Sequence, residues 1–171
     1  MVPRWLPTRW PLLAALISLV VLAGVHAAET YGRLAPCELC LKQRTVYWVA
    51  AAVGLIGYGL GRGLKAPVLS SVASLVLGLV FLSGAGLAAY HAGVEWRWWP
   101  GPTSCTGAGT ASAQALGELL SGAKVARPSC DVAAWRGLGL SMAGWNVIGS
   151  LVLAAVSFKA MGARRRGLEP L

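Results

Sequence analysis

Charge is what this chain has least of. Only 12% of its 171 residues are charged, with six Asp and Glu against fifteen Lys and Arg. A water-soluble domain of this length carries roughly 25%, so a domain covered in solvated charge is excluded. Nucleotide-cofactor motifs are missing too. The glycine-rich run 57–63 has no strand before it and lacks phosphate-loop spacing, and the loose dinucleotide match at 84–89 lies inside an apolar run, where helix packing explains the glycines. A c-type haem is excluded because Leu41 stands where the attachment motif needs histidine. A four-thiolate zinc site needs a second short-spaced pair that Cys105 and Cys130 do not form. No metal is therefore expected.

What the chain does have is apolar length. Hydrophobic residues make up 56%, gathered in four runs at about 11–28, 45–61, 67–90 and 138–158. Each is near or above the ~17–25 residues that cross a bilayer. The composition predicts an all-α membrane protein: one domain over 1–171, a four-helix transmembrane bundle. External loops are expected at about 29–44 and 91–137, with a short interfacial helix near 111–120. Arg4 and Arg9 before an apolar stretch ending in Val25-His26-Ala27 also resemble a cleavable signal peptide. Such cleavage would leave three spans and keep every cysteine on the same side.

The net charge of +9 invites a nucleic-acid reading, but its placement argues against one. Arg4, Arg9, Arg62, Lys65, Lys159, Arg164, Arg165 and Arg166 flank the runs on one side with only Glu169 among them, a net of +7. The other side has seven cations and five acids, a net of +2. This follows the positive-inside rule with both termini cytoplasmic. All four cysteines then face outward, into an oxidising compartment. A bacterial inner membrane facing the periplasm is the expected location.

The organising stretch is Pro36-Cys37-Glu38-Leu39-Cys40-Leu41-Lys42-Gln43-Arg44. A Cys-x-x-Cys pair on a helix places two sulfurs on one face, and Arg44 follows Cys40 by one turn. A helix N-terminus and a nearby cation both favour thiolate, the reactive form. As a structural brace, a Cys-x-x-Cys disulfide closes too small a loop to remove much chain entropy. Thiol–disulfide exchange with the outer pair, Cys105 and Cys130, is the reading that uses all four. Its electrons need a final acceptor, and with no flavin, haem or nicotinamide motif a lipid-soluble quinone is the one a bare helical bundle can reach. His91 closes the third run as either a site residue or an interfacial histidine. Trp96, Trp98 and Trp99 read first as an interfacial belt and second as an aromatic wall for a flat ligand. Asn146 is expected to hydrogen-bond within the bundle.

Pro36-Cys37-x-x-Cys40 with Gln43-Arg44, then Tyr90-His91, Pro102-x-x-Cys105, and Cys130 before a last span, resembles the disulfide bond formation protein B (DsbB) family over nearly the whole chain. The resemblance implies a quinone-dependent oxidase (ubiquinone or menaquinone) that reoxidises a periplasmic thioredoxin-fold dithiol oxidase of the DsbA type. By position it implies that Cys105 is attacked by the partner and that Cys130 is its disulfide mate, later exchanging with Cys37. It also implies that Cys40 faces the quinone as thiolate, with Arg44 beside the quinone head and His91 at the quinone site. A vitamin K epoxide reductase type carries its redox pair late in the bundle, whereas here the pair precedes the second run. A non-enzymatic scaffold with structural disulfides is the alternative of a different class.

Overall fold

A computed structural model describes residues 6–102 and 129–166. Among these residues are four helices: α1 (Leu6–Thr30), α2 (Glu38–Gly63), α3 (Pro67–Glu95) and α4 (Met142–Arg166). Three contain segments long and apolar enough to cross a membrane, Leu6–Thr30, Val68–Glu95 and Met142–Gly162. Helix α2 has the length but opens on Glu38, Lys42, Gln43 and Arg44 and carries Arg62 near its end, which dilutes its apolar character. Leu16, Val20, Ile56, Val72, Leu79, Leu82, Leu151 and Val152 point outward and exposed. An apolar surface this extensive is foreign to a soluble monomer and suits lipid.

Helix α1 packs on α2, α2 on α3, and α3 on α4. The inner faces meet at a core that includes Trp10, Ala14, Leu22, Tyr47, Ala50, Leu77, Phe81 and Leu153. Small residues set the spacing. A Cβ on Gly54 would collide with the Pro11 carbonyl and come within 2.9 Å of Ala15 Cβ, and one on Gly57 would collide with Ala73. Buried serines satisfy their own hydroxyls within the helix, as Ser18 does on the Ala14 carbonyl at 2.8 Å and Ser157 on that of Leu153 at 2.7 Å. Trp10 Nε1 donates to Ser157 Oγ at 2.9 Å, tying α1 to α4.

The helices extend beyond several of the expected runs, α1 starting at Leu6, α2 at Glu38 and the last ending at Arg166, and two ends bear on the site. Helix α3 continues past residue 90 to Glu95, so His91 is helical. It closes with Arg97 N–H on the Val94 carbonyl and Trp98 N–H on that of Gly93, with Arg97 at φ 60°, which is the Schellman arrangement. The last helix starts later than residue 138. Arg136–Gly137 and Leu140–Ser141 pair as a small antiparallel hairpin, β1 and β2, about a turn with Leu138 and Gly139 both at positive φ. That turn geometry matches the right-handed twist of paired strands. Ser141 Oγ then accepts from Gly144 N–H at 3.1 Å and caps α4. The interfacial helix expected near 111–120 lies outside the described residues, as does Cys105.

Candidate functional site

Cys37 is the N-cap of α2, one residue after Pro36. Its sulfur takes the place of a capping oxygen and accepts the Cys40 N–H at 3.3 Å. The Cys37 and Cys40 sulfurs lie 2.8 Å apart as free thiols. Cys37 is buried, and Cys40 is partly exposed toward a cavity of about 500 Å³ that both help to line. The wall also includes Gln43, Arg44, His91 and Glu95.

His91 comes to the same place from α3. Its Nε2 sits 3.6 Å from Cys37 Sγ and 3.8 Å from Glu95 Oε1 one turn along the helix. The second distance is too long for a direct hydrogen bond. On its other side Gln43 Nε2 donates to His91 Nδ1 at 2.8 Å. Asn146 Nδ2 donates to Gln43 Oε1 at 2.5 Å, and Tyr47 Oη donates to Asn146 Oδ1 at 2.5 Å. Ser150 Oγ donates to the same oxygen at 3.2 Å. A polar chain thus joins α2, α3 and α4. Because the amide donates to Nδ1, the ring's hydrogen sits on Nε2, facing Cys37. Glu95 Oε2 is buried and has no hydrogen-bond partner among the described residues.

The Cys37 thiol is pulled down from an ordinary 9.0 to about 4. The hydrogen bond with Cys40 sulfur is the largest cause. Burial opposes it, while His91 and the Cys40 N–H add to it. The folded value is below the unfolded one. The stability this thiolate lends the reduced protein is therefore complete above about 9, declines as pH falls and is gone below about 4. Alkylation at Cys37 by iodoacetamide, read by peptide mass spectrometry, is expected to stay nearly flat from pH 8 to pH 5 and to drop about tenfold per unit below pH 4. A profile already falling tenfold per unit from pH 8 downward would show an unassisted thiol.

Cys130 is fully buried and disulfide-bonded. It shares one buried cluster with Cys37, Leu39 and Val94, against which Cys40 and Leu87 pack. Arg44 lines the cavity, but its guanidinium is turned to Glu29 of α1, with Nη1 at 2.7 Å from Oε2. Cys37, Cys40, Arg44 and His91 are thus brought together, and Cys130 is adjacent. The tryptophans at 96, 98 and 99 are not in the cavity wall. Trp99 stacks on Tyr90 at 6.0 Å and 9°, and Trp98 is exposed. The aromatic side chains of the wall are instead Tyr47, Trp135 and Trp145.

Sequence reasoning missed Gln43 and Glu95 as site residues. Helical spacing carried a signal for both: Gln43 is three after Cys40, and Glu95 is four after His91.

The DsbB family model, disulfide bond formation protein DsbB, matches residues 7–160. Disulfide bond formation protein B of Dechloromonas aromatica is 33% identical over 71% of this chain and 72% of its own length. That of Alkalilimnicola ehrlichii is 30% identical over 94% and 98%. Disulfide bond formation protein B 2 of Pseudomonas putida is 30% identical over 89% of each chain. With two free thiols held at a helix start beside a buried, disulfide-bonded cysteine, and a family match across nearly all its length, this chain belongs to the DsbB family, disulfide-forming oxidoreductases.

Proposed function

We propose that this chain oxidises a soluble thioredoxin-fold dithiol partner of the DsbA type and delivers the electrons to a membrane quinone, ubiquinone or menaquinone. The observation that carries the reading is disulfide-bonded Cys130 in one buried cluster with the free thiol Cys37. In the proposed sequence a partner thiolate attacks Cys105 of a Cys105–Cys130 disulfide, forms a mixed disulfide with it and expels Cys130 as thiolate. The partner's second thiol closes the partner's own disulfide and releases Cys105. Cys130 then attacks Cys37, breaking a Cys37–Cys40 disulfide and expelling Cys40. Cys105 attacks Cys130, which restores the outer disulfide and frees Cys37. Each step is thiolate exchange.

Reoxidation of Cys37 and Cys40 releases two electrons and two protons, which a bound quinone takes up. The cavity suits such a ring. Its volume of about 500 Å³ lies in the range of small-molecule sites, and its walls are largely apolar, with Cys40, Arg44, His91 and the unpartnered Glu95 oxygen as the polar points. The residues present therefore fit the group. Cys40, the more exposed of the two thiols, is the one assigned to the quinone, and Cys37, which clusters with Cys130, the one assigned to exchange. We read the four helices as one transmembrane domain over 1–171 in the bacterial inner membrane. The +7 and +2 charge split supports cytoplasmic termini and periplasmic cysteines.

Anaerobic mixing of the purified protein with a reduced thioredoxin-fold partner and a soluble quinone analogue tests the reading. Stoichiometric loss of quinone absorbance is expected, with partner-dependent changes in cysteine state by thiol trapping. Cysteine states indifferent to the partner would return the chain to a scaffold with structural disulfides.

A further inference from the structure

Around the thiol pair is a set of donors that the electron route does not by itself require. Cys37 Sγ, Cys40 Sγ and a ring nitrogen of His91 all lie within 4.8 Å of one another. A tetrahedral zinc ion with Zn–S of ~2.3 Å and Zn–N of ~2.0–2.1 Å separates sulfur from nitrogen by ~3.6 Å and sulfur from sulfur by ~3.8 Å. Cys37 Sγ to His91 Nε2 is 3.6 Å. The sulfurs, now 2.8 Å apart, reach the required spacing by a side-chain rotation of Cys40 into the cavity it lines. Glu95 lies just outside that cluster, with Oε1 3.8 Å from His91 Nε2 and Oε2 buried without a hydrogen-bond partner among the described residues, and supplies a fourth donor by a side-chain rotation inward. A buried carboxylate oxygen that nothing satisfies is the kind of atom a cation explains.

The surroundings can support a metal-bound histidine. A ligating imidazole needs its other nitrogen to donate to a fixed acceptor. The chain from His91 through Gln43 and Asn146 to Tyr47 and Ser150 is built of amides and hydroxyls, whose polarity reverses when both amides flip and the hydroxyls rotate. In one direction Nε2 carries the hydrogen toward Cys37. In the other, Nδ1–H donates to Gln43 Oε1 and the Nε2 lone pair is free.

The geometry points to a binding site for a zinc-like divalent cation on the reduced centre, with Cys37, Cys40 and His91 as ligands and Glu95 in the fourth position. Binding forms metal–sulfur bonds, releases the proton still held by the thiol pair to solvent and transfers no electrons. Because the lone pairs needed for exchange are then held by the metal, the bound state is locked as dithiolate. Oxidation to the Cys37–Cys40 disulfide removes two of the ligands and abolishes the site. The inference does not depend on the proposed quinone route, since the same four side chains bind whether or not electrons ever leave the cavity.

Cobalt(II) titration of the full chain in detergent, reduced with a phosphine, tests it. The expected result is a thiolate-to-cobalt charge-transfer band with intense four-coordinate ligand-field bands, saturating at one equivalent and displaced by Zn²⁺. Both signals should be lost in Cys40→Ser and after oxidation, and affinity should drop at least tenfold in His91→Ala. His91→Gln, which keeps a hydrogen-bonding side chain, should show the same drop, and circular dichroism confirms that each variant retains its helices. No charge-transfer band in the reduced protein overturns the inference. So does full-strength binding in both His91 variants, which would leave only thiols acting without the histidine.

Discussion

Cys105→Ser is expected to abolish covalent capture of the dithiol partner, while Cys40→Ser abolishes quinone reduction and leaves capture intact. The two pairs differ in what surrounds them. Cys37 caps a helix and is buried against the cluster that holds Cys130, so it is placed to exchange with that sulfur. Cys40, the more exposed of the two, lines the cavity with Cys37. With Ser at position 40, Cys37 has no disulfide for Cys130 to attack, so the electrons stop on the reduced Cys105 and Cys130 thiols instead of leaving. Non-reducing electrophoresis reads capture, and anaerobic single-turnover absorbance reads quinone; each loss should reach background. The serine hydroxyl can replace the Cys40 hydrogen bond to the Cys37 thiolate, so reactivity at Cys37 should survive Cys40→Ser better than Cys40→Ala. If Cys40→Ser blocked capture but spared quinone reduction, the order of electron flow would be reversed.

Much of this arrangement was legible in the chain because two signals are local. Apolar run length marks the helices, and a Cys-x-x-Cys before such a run marks the thiol pair. The boundaries were less legible because they depend on particular turns. Helix α3 carries His91 and Glu95 beyond the apolar run, since a helix needs no hydrophobicity to continue until Arg97 takes a left-handed conformation and closes it. Residues 138–141 were read as span, but Gly139 and Ser141 make a turn and a cap there. The polar chain was the least legible part. Gln43 and Asn146 are 103 residues apart, and they come into contact only because α3 packs on both α2 and α4. Helical spacing from Cys40 and His91 pointed toward Gln43 and Glu95, but spacing alone cannot say which polar residue turns inward. Arg44 shows the same limit. Its place one turn below Cys40 was readable, whereas its ion pair with Glu29, on a different helix, was not.

Arg44→Ala is expected to slow quinone reduction by ~10–1,000-fold, the range seen when one donor that stabilises developing negative charge is removed, while insertion and partner capture remain. The guanidinium is largely buried, lines the cavity on the same helix as Cys40, and commits one N–H group to Glu29. Five N–H donors in a planar fork leave others for a carbonyl oxygen on which charge accumulates. The competing role is an anchor, in which Arg44 serves only to join α2 to α1. Glu29 is 38% exposed, and an ion pair with one partner in contact with solvent contributes roughly 0–1 kcal/mol, too little to account for a kinetic loss of that size through stability. Two further variants separate the roles. Glu29→Gln removes the negative partner but keeps the guanidinium, so it should leave quinone kinetics within a few-fold of the parent. Arg44→Lys keeps the charge but loses the fork, and should restore only part of the rate. Stopped-flow absorbance of the quinone under anaerobic conditions measures all three, with thiol trapping to show that the dithiol is reduced at the start. Quinone kinetics that are unchanged in Arg44→Ala, or lost equally in Glu29→Gln, would make the arginine an anchor and move the acceptor's polar contact to His91 and Glu95 on α3.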